Sequence, residues 1–277
     1  MSEQYLQVNG ANLCYEIEGS GPYIVFVAGG NGGHRLFRRI RDILTKHFTV
    51  VLYDRRGYFR SKLTGPQDYK KNVEANVEDL YRLMKHITDE KFVIFGISGA
   101  GPIIFKYLVT YPETISKMIA HEPVYYSKKF SGTKDMQDFY NYLYRLLHYE
   151  GRNASMALVG KKYFNEADSD ILVRNQRNDK TNNWDYWIEH EICEDPFIHI
   201  DLKLLKAQSA KLIFLDGKDC RGYFVQEPGK FIAEAIGKET YTLPGGHIGF
   251  YTHSKEFAAE LIKLCQVNSI IGYQPKL

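Results

Sequence analysis

Much of what would point to a specialised protein is missing from this chain. Its four cysteines (Cys14, Cys193, Cys220, Cys265) stand far apart with no Cys-x-x-Cys pair. That sets aside a zinc ribbon and a disulfide scaffold and leaves free thiols in a reducing compartment. No apolar run approaches the roughly 18–20 residues of a membrane helix. The start Met1-Ser2-Glu3-Gln4 is polar, with no basic patch leading into an apolar stretch, so no signal peptide is read there and a cytoplasmic protein is expected. Neither sign of charge dominates: the formal net charge is +3, and Lys and Arg are spread rather than gathered, which argues against a nucleic-acid partner. Internal repeats and low-complexity tracts are lacking too. What remains is 277 residues, 44% hydrophobic and 25% charged, ordinary for a globular protein and enough for one large α/β domain with an inserted subdomain.

Hydrophobic patterning supplies the organisation. Tyr5 to Glu18 alternates apolar and polar around Asn9-Gly10, a pair that tolerates the positive φ of a type I′ turn, and predicts a hairpin. Continuous apolar runs at Tyr23–Val27, Phe48–Tyr53, Phe92–Phe95, Ser116–Ala120 and Lys211–Leu215 predict strands buried on both faces. Helical spacing fills the gaps, at Leu36–Leu44, Val73–Ile87 and Ile103–Val109. Strands alternating with helices mean βαβ units and a mostly parallel sheet. The pattern lapses between about Val124 and Leu205, a stretch rich in Tyr, Phe, Asn and charge that reads as a helical insertion. After it come a helix near Phe231–Ile236, a short strand at Thr240–Leu243 and a final helix near Glu256–Leu264; the tail from Gln266 to Leu277 has no clear period.

Three segments carry chemistry. The strand Phe92–Phe95 runs into Gly96-Ile97-Ser98-Gly99-Ala100 and then into a helix. A serine nucleophile must stand clear of the sheet edge on such a tight turn, and small residues two before and two after it avoid collision there. The helix N-terminus beneath Ser98 offers backbone N–H groups to a developing oxyanion. Val27-Ala28-Gly29-Gly30-Asn31-Gly32-Gly33 follows the first buried strand. Its glycines let the backbone approach a substrate, and it lacks the register of a nucleotide-binding loop. Leu243-Pro244-Gly245-Gly246-His247 places a histidine in a glycine-flanked loop between the last strand and helix, where it can swing over the sheet edge toward a serine and exchange a proton near neutrality.

Together with Tyr53-Asp54-Arg55-Arg56-Gly57, these segments resemble the α/β-hydrolase superfamily over nearly the whole chain except the insertion. Asp54 to Ser61 is similar to that family's Asp-x-Arg-Gly-x-Gly-x-Ser, with Phe59 replacing the second glycine, and is read as structural. The resemblance implies the α/β-hydrolase fold: a mostly parallel central sheet with helices on both faces. Residues 1–123 and 206–277 would form the core and 124–205 an inserted helical cap. It also implies oxyanion donors at the backbone N–H groups of Gly30 and Gly99. Ser98 at the elbow argues against haloalkane dehalogenases and epoxide hydrolases, which use an aspartate there.

The family order of serine, acid, histidine leaves two carboxylates between Ser98 and His247. Asp219 follows the strand where most members keep their acid. Glu122, in His121-Glu122-Pro123, follows the strand next after the elbow. His-Glu-Pro resembles a smaller subgroup, including zearalenone-type lactone hydrolases and bacterial fluorophosphonate-reactive esterases, that uses the glutamate, so Glu122 is preferred over Asp219. The insertion supplies Tyr125, Tyr126, Phe139, Tyr140, Tyr142, Tyr144, Trp184 and Trp187, which suit an apolar or ring-bearing substrate. Single aromatics at helical spacing are more often core, so none is assigned to specificity. The expected activity is cleavage of small-molecule esters or lactones through an acyl-enzyme, with no metal or organic cofactor required. Carbon–carbon bond hydrolysis, acyl transfer to an alcohol and a non-catalytic small-molecule receptor remain as alternatives. A mobile cap is compatible with a homodimer.

Overall fold

In the computed structural model, residues 3–30, 32–177 and 183–272 are described. Asn31 of the glycine loop and the end of the tail lie outside them. The strands are β1 (Gln4–Val8), β2 (Ala11–Gly19), β3 (Tyr23–Val27), β4 (Thr49–Tyr53), β5 (Lys62–Leu63), β6 (Phe92–Ile97), β7 (Ile115–His121), β8 (Leu212–Gly217) and β9 (Thr240–Leu243). They form one sheet in the order β1-β2-β4-β3-β6-β7-β8-β9, with the short β5 pairing β2. The hairpin β1–β2 turns at Gly10 (φ 75°) and is antiparallel, and β2 runs antiparallel to β4. From β4 through β9 every pairing is parallel. Because β2 pairs with β4, β3 lies inside the sheet between β4 and β6, which is why Tyr23–Val27 reads as an unbroken apolar run.

The helices are α1 (Arg38–Leu44), α2 (Asn72–Ile87), α3 (Gly101–Thr110), α4 (Thr133–Glu150), α5 (Arg152–Tyr163), α6 (Glu166–Arg177), α7 (Asn183–His190), α8 (Leu202–Ala207), α9 (Glu227–Ile236), α10 (Gly249–Thr252) and α11 (Ser254–Val267). Side chains alternate across the sheet, so Val25 and Val27 enter one core with α2, α3, α8 and α9, while Ile24 and Phe26 enter the other with α1, α10 and α11. Helices α4 to α7 leave the sheet between β7 and β8 and close a third core around Tyr126, Tyr140, Leu143, Val159, Tyr163 and Ile188. The hydroxyls of Tyr126, Tyr140 and Tyr163 bond one another inside it. Position 205 falls within α8, whose Leu205 packs on the sheet side. The four cysteines are free. Among the described residues, no helix is long and apolar enough to cross a membrane.

Candidate active site

Parallel strands end at one edge of the sheet, and the candidate groups lie just past those ends, Ser98 and Glu122 as the first residues beyond their strands. β6 hands over to Ser98, whose φ of 55° is a left-handed conformation costing a side-chain-bearing residue about 1–3 kcal/mol. The surroundings hold it there. Val124 N–H donates to the Ser98 carbonyl at 2.8 Å, and Gly96 admits the following helix: a Cβ at position 96 would lie 2.6 Å from Ile104 Cγ2. β7 hands over to Glu122, also left-handed at φ 43° and almost wholly buried.

The loop after β9 carries His247, 3% exposed, and its Nδ1 lies 2.6 Å from Glu122 Oε2. The other carboxylate oxygen accepts the Gly217 N–H at 2.8 Å. Burial alone would raise the Glu122 carboxyl, but the hydrogen bond and charge of His247 and the Gly217 N–H outweigh it and hold the group down to about 2. Asp219 is exposed in the turn after β8; its backbone N–H donates to the Gly245 carbonyl at 3.0 Å. The geometry therefore brings Glu122, and not Asp219, onto the histidine ring.

The glycine loop meets the elbow backbone to backbone. A Cβ on Gly29 would lie 2.7 Å from Ser98 Cβ, and one on Gly99 would lie 3.2 Å from Gly30 N. Ser98, His247, Gly29 and Gly30 line one cleft of about 630 Å³, part of it open to solvent. Its other walls are apolar or aromatic, with Leu36, Phe37 and Phe250 from the sheet side and Phe164, Trp184 and Trp187 from the insertion above. Of the insertion's aromatics singled out in the sequence, only the two tryptophans reach the cleft. Tyr125, Tyr126 and Tyr140 are buried in the cores, Phe139 packs against the third core, and Tyr142 and Tyr144 are exposed. Among the described residues, no group of three or more His, Cys, Asp or Glu is placed to hold a metal ion.

A family model described as the alpha/beta hydrolase fold matches residues 22–189. The uncharacterized hydrolase YraK of Bacillus subtilis (strain 168) is 30% identical over 262 residues, 92% of this chain and 93% of that one. The chain belongs to the α/β-hydrolase family. A second relative, the zearalenone hydrolase of Bionectria ochroleuca, is 27% identical over 136 residues, 47% of this hydrolase and 50% of that protein. Among solved structures, the enol-lactonase from Burkholderia xenovorans LB400 has a TM-score of 0.72 at 18% identity, covering 95% of this chain and 100% of that one, a likeness of fold.

Several contacts of this hydrolase escape a motif search. His121 is fully buried, and its Nε2 lies 3.1 Å from the His247 carbonyl, steadying the loop from beneath. Burial pushes the His121 imidazole down to about 4, so the ring is neutral and donates. From above, the Phe164 ring lies 4.9 Å from the His247 ring, and the buried Asp168 carboxylate accepts the Ile248 N–H at 3.4 Å. At the family's second loop glycine, Phe59 keeps the positive φ (43°) and lays its ring where a Cβ on Gly33 would be. None of these has a sequence signal, because each partner is more than 20 residues away.

Proposed function

We propose that this hydrolase cleaves carboxylic esters or lactones of uncharged, apolar small molecules through an acyl-enzyme on Ser98. The observation that carries the proposal is the 2.6 Å contact between the buried Glu122 carboxylate and His247 Nδ1 at one end of an apolar cleft that also holds Ser98. Held ionised, Glu122 accepts Nδ1–H, leaves Nε2 free as a base, and stabilises the imidazolium that forms. Ser98 attacks the carbonyl carbon as His247 takes its proton, and the oxyanion receives the N–H groups of Gly30 and Gly99. His247 then protonates the leaving alcohol, and next deprotonates the water that releases the acid. Residues 124–205 act as a cap whose tryptophans and Phe164 wall the substrate. The zearalenone hydrolase relationship and the glutamate on the histidine both support membership of the His-Glu-Pro subgroup.

Intact-mass analysis after a fluorophosphonate probe tests the proposal. One adduct on the wild-type protein, absent from Ser98→Ala, is expected. A folded wild type that takes up no adduct would end the serine-hydrolase reading.

A further inference from the structure

Arg55 has no role in the reaction just described, yet it is a charged side chain buried as deeply as the apolar core. Its guanidinium is fully enclosed. The neighbouring Arg56 already ties the loop to α2 through Asp79, with both bonds at 2.7 Å, so the fold does not need a second buried arginine for that anchor. Desolvating a guanidinium is unfavourable unless a partner and good geometry compensate it. Here the partner is Glu191, which follows α7: Nη1 and Nη2 each donate to one of its carboxylate oxygens at 2.8 Å, a bidentate fork. Nη2 also donates to the Gly29 carbonyl at 2.8 Å, and the Arg55 backbone N–H donates to the Gly32 carbonyl at 2.9 Å. One residue thus holds the glycine loop at two carbonyls.

The Gly29 carbonyl belongs to the same peptide as the Gly30 N–H. No cis peptide occurs among the described residues, and in a trans peptide C=O and N–H point in opposite directions. With the carbonyl turned onto Arg55, the N–H is turned away from it, on the side where Gly30 N meets Gly99. No described residue accepts that N–H. A cation on the carbonyl also draws electron density from the amide and strengthens its N–H as a donor. Trp187 closes the arrangement from the other side, since a Cβ on Gly30 would lie 2.5 Å from its Cε2. The segment from Trp187 to Glu191 therefore reaches the Gly29–Gly30 peptide twice, once by contact and once through Arg55.

We infer that Arg55 is a positioning residue for the oxyanion site, aiming and polarising the Gly30 N–H, and that Glu191 holds it in register from the insertion. The inference rests on the hydrolase reading above. The test uses Arg55→Lys and the double variant Arg55→Met/Glu191→Gln, the second avoiding an orphaned buried carboxylate. Gly-Gly occurs in the sequence only at 29–30, 32–33 and 245–246. Protein labelled with carbonyl-13C and 15N glycine therefore gives three one-bond carbonyl–amide signals.

In the double variant the Gly29–Gly30 signal should move upfield in 13C while Gly245–Gly246 stays in place. On an aryl ester kcat should fall about 10- to 100-fold with KM within about twofold, and phenylboronic acid, which forms a tetrahedral adduct, should bind more weakly by the same factor as kcat. Arg55→Lys should lie between. Wild type that reacts with fluorophosphonate beside a folded double variant with an unmoved Gly29–Gly30 signal, or an undiminished kcat, overturns the inference and leaves the hydrolase reading standing. A wild type inert to the probe overturns both.

Discussion

The two walls of the cleft are built differently. On the sheet wall, Ser98, Glu122 and His247 stand just past strand ends, and backbone bonds hold them: Val124 N–H on Ser98, Gly217 N–H on the Glu122 carboxylate, and the His247 carbonyl on His121. Two of these residues keep a left-handed backbone that their side chains disfavour. On the insertion wall no charged group among the described residues lines the cleft, and Val159, Phe164, Leu172, Trp184 and Trp187 contribute side-chain bulk from three helices and the link between two of them. Chemistry is placed by backbone geometry and shape by side chains. The sheet wall should therefore tolerate almost no change, and the insertion wall should trade residues at the expense of substrate preference.

The largest effect expected lies on the sheet wall. Glu122→Gln keeps the volume but offers an amide where the histidine needs an acceptor, favouring the wrong tautomer, and kcat should fall about 10³- to 10⁴-fold on an aryl ester. Asp219→Asn, at an exposed position off the ring, should stay within about twofold of wild type, because a solvated surface side chain contributes little. Steady-state kinetics on both variants settle which carboxylate serves His247. A crippled Asp219→Asn beside an active Glu122→Gln would show that the strained backbone at 122 serves the fold alone.

That asymmetry also explains what could be read in the sequence. The strand runs, the elbow Gly96–Ala100 and the Gly-Gly-His loop are short segments whose meaning is local: small residues where a turn is tight, apolar residues where both sheet faces are covered. The sequence pointed to Ser98 and His247 for that reason, and to Gly30, Gly99 and a preference for Glu122 only through the family resemblance. It left Glu122 and Asp219 both open because the choice depends on which of two neighbouring strand ends faces the histidine loop, a three-dimensional distance. The insertion gave only composition. Trp184 and Trp187 differ from Tyr142 and Tyr144 in which way their helices face, and that is settled by packing onto the Tyr126, Tyr140 and Tyr163 cluster. Arg55 lies inside a motif read as structural, where no local pattern marks its contact with Gly29 or with Glu191, 136 residues away.

A smaller effect should separate the sheet wall's support from its chemistry. His121 has its folded-state pKa pushed down to about 4 by burial, against an ordinary value of about 6.5. Below about 6.5 the unfolded chain takes up a proton that the folded protein refuses, so stability falls as pH drops from 6.5 toward 4 and is unaffected above 7. Between pH 7.5 and pH 5 this amounts to about 2 kcal/mol. Asp195, raised by burial and by Glu191, has the opposite slope, so the informative quantity is wild type against His121→Gln, whose amide can still reach the His247 carbonyl. Urea denaturation at the two pH values should show wild type losing about 2 kcal/mol more than the variant; equal losses would mean that the buried ring is already charged.

The smallest effect belongs to the insertion wall, and it is the sharpest check on the division. Trp184 lines the cleft, packs edge-on against Trp187 at 5.1 Å, and donates from Nε1 to Ser155 Oγ at 2.8 Å. Ser155 keeps its own donor bond to the Arg152 carbonyl without it, so Trp184→Leu leaves no buried donor stranded. The variant removes ring surface near the substrate while leaving Gly30, Ser98 and His247 untouched. Losing part of an aromatic contact is worth about 1–1.5 kcal/mol, so KM for a naphthyl ester should rise about 5- to 10-fold while kcat holds. For an acetyl ester of a small alcohol, too short to reach that wall, neither constant should change by more than about twofold on the same contact argument. An equal loss of kcat on both esters would mean that Trp184 itself, like Glu191 acting through Arg55, takes part in placing the reacting groups and is more than a wall for the substrate.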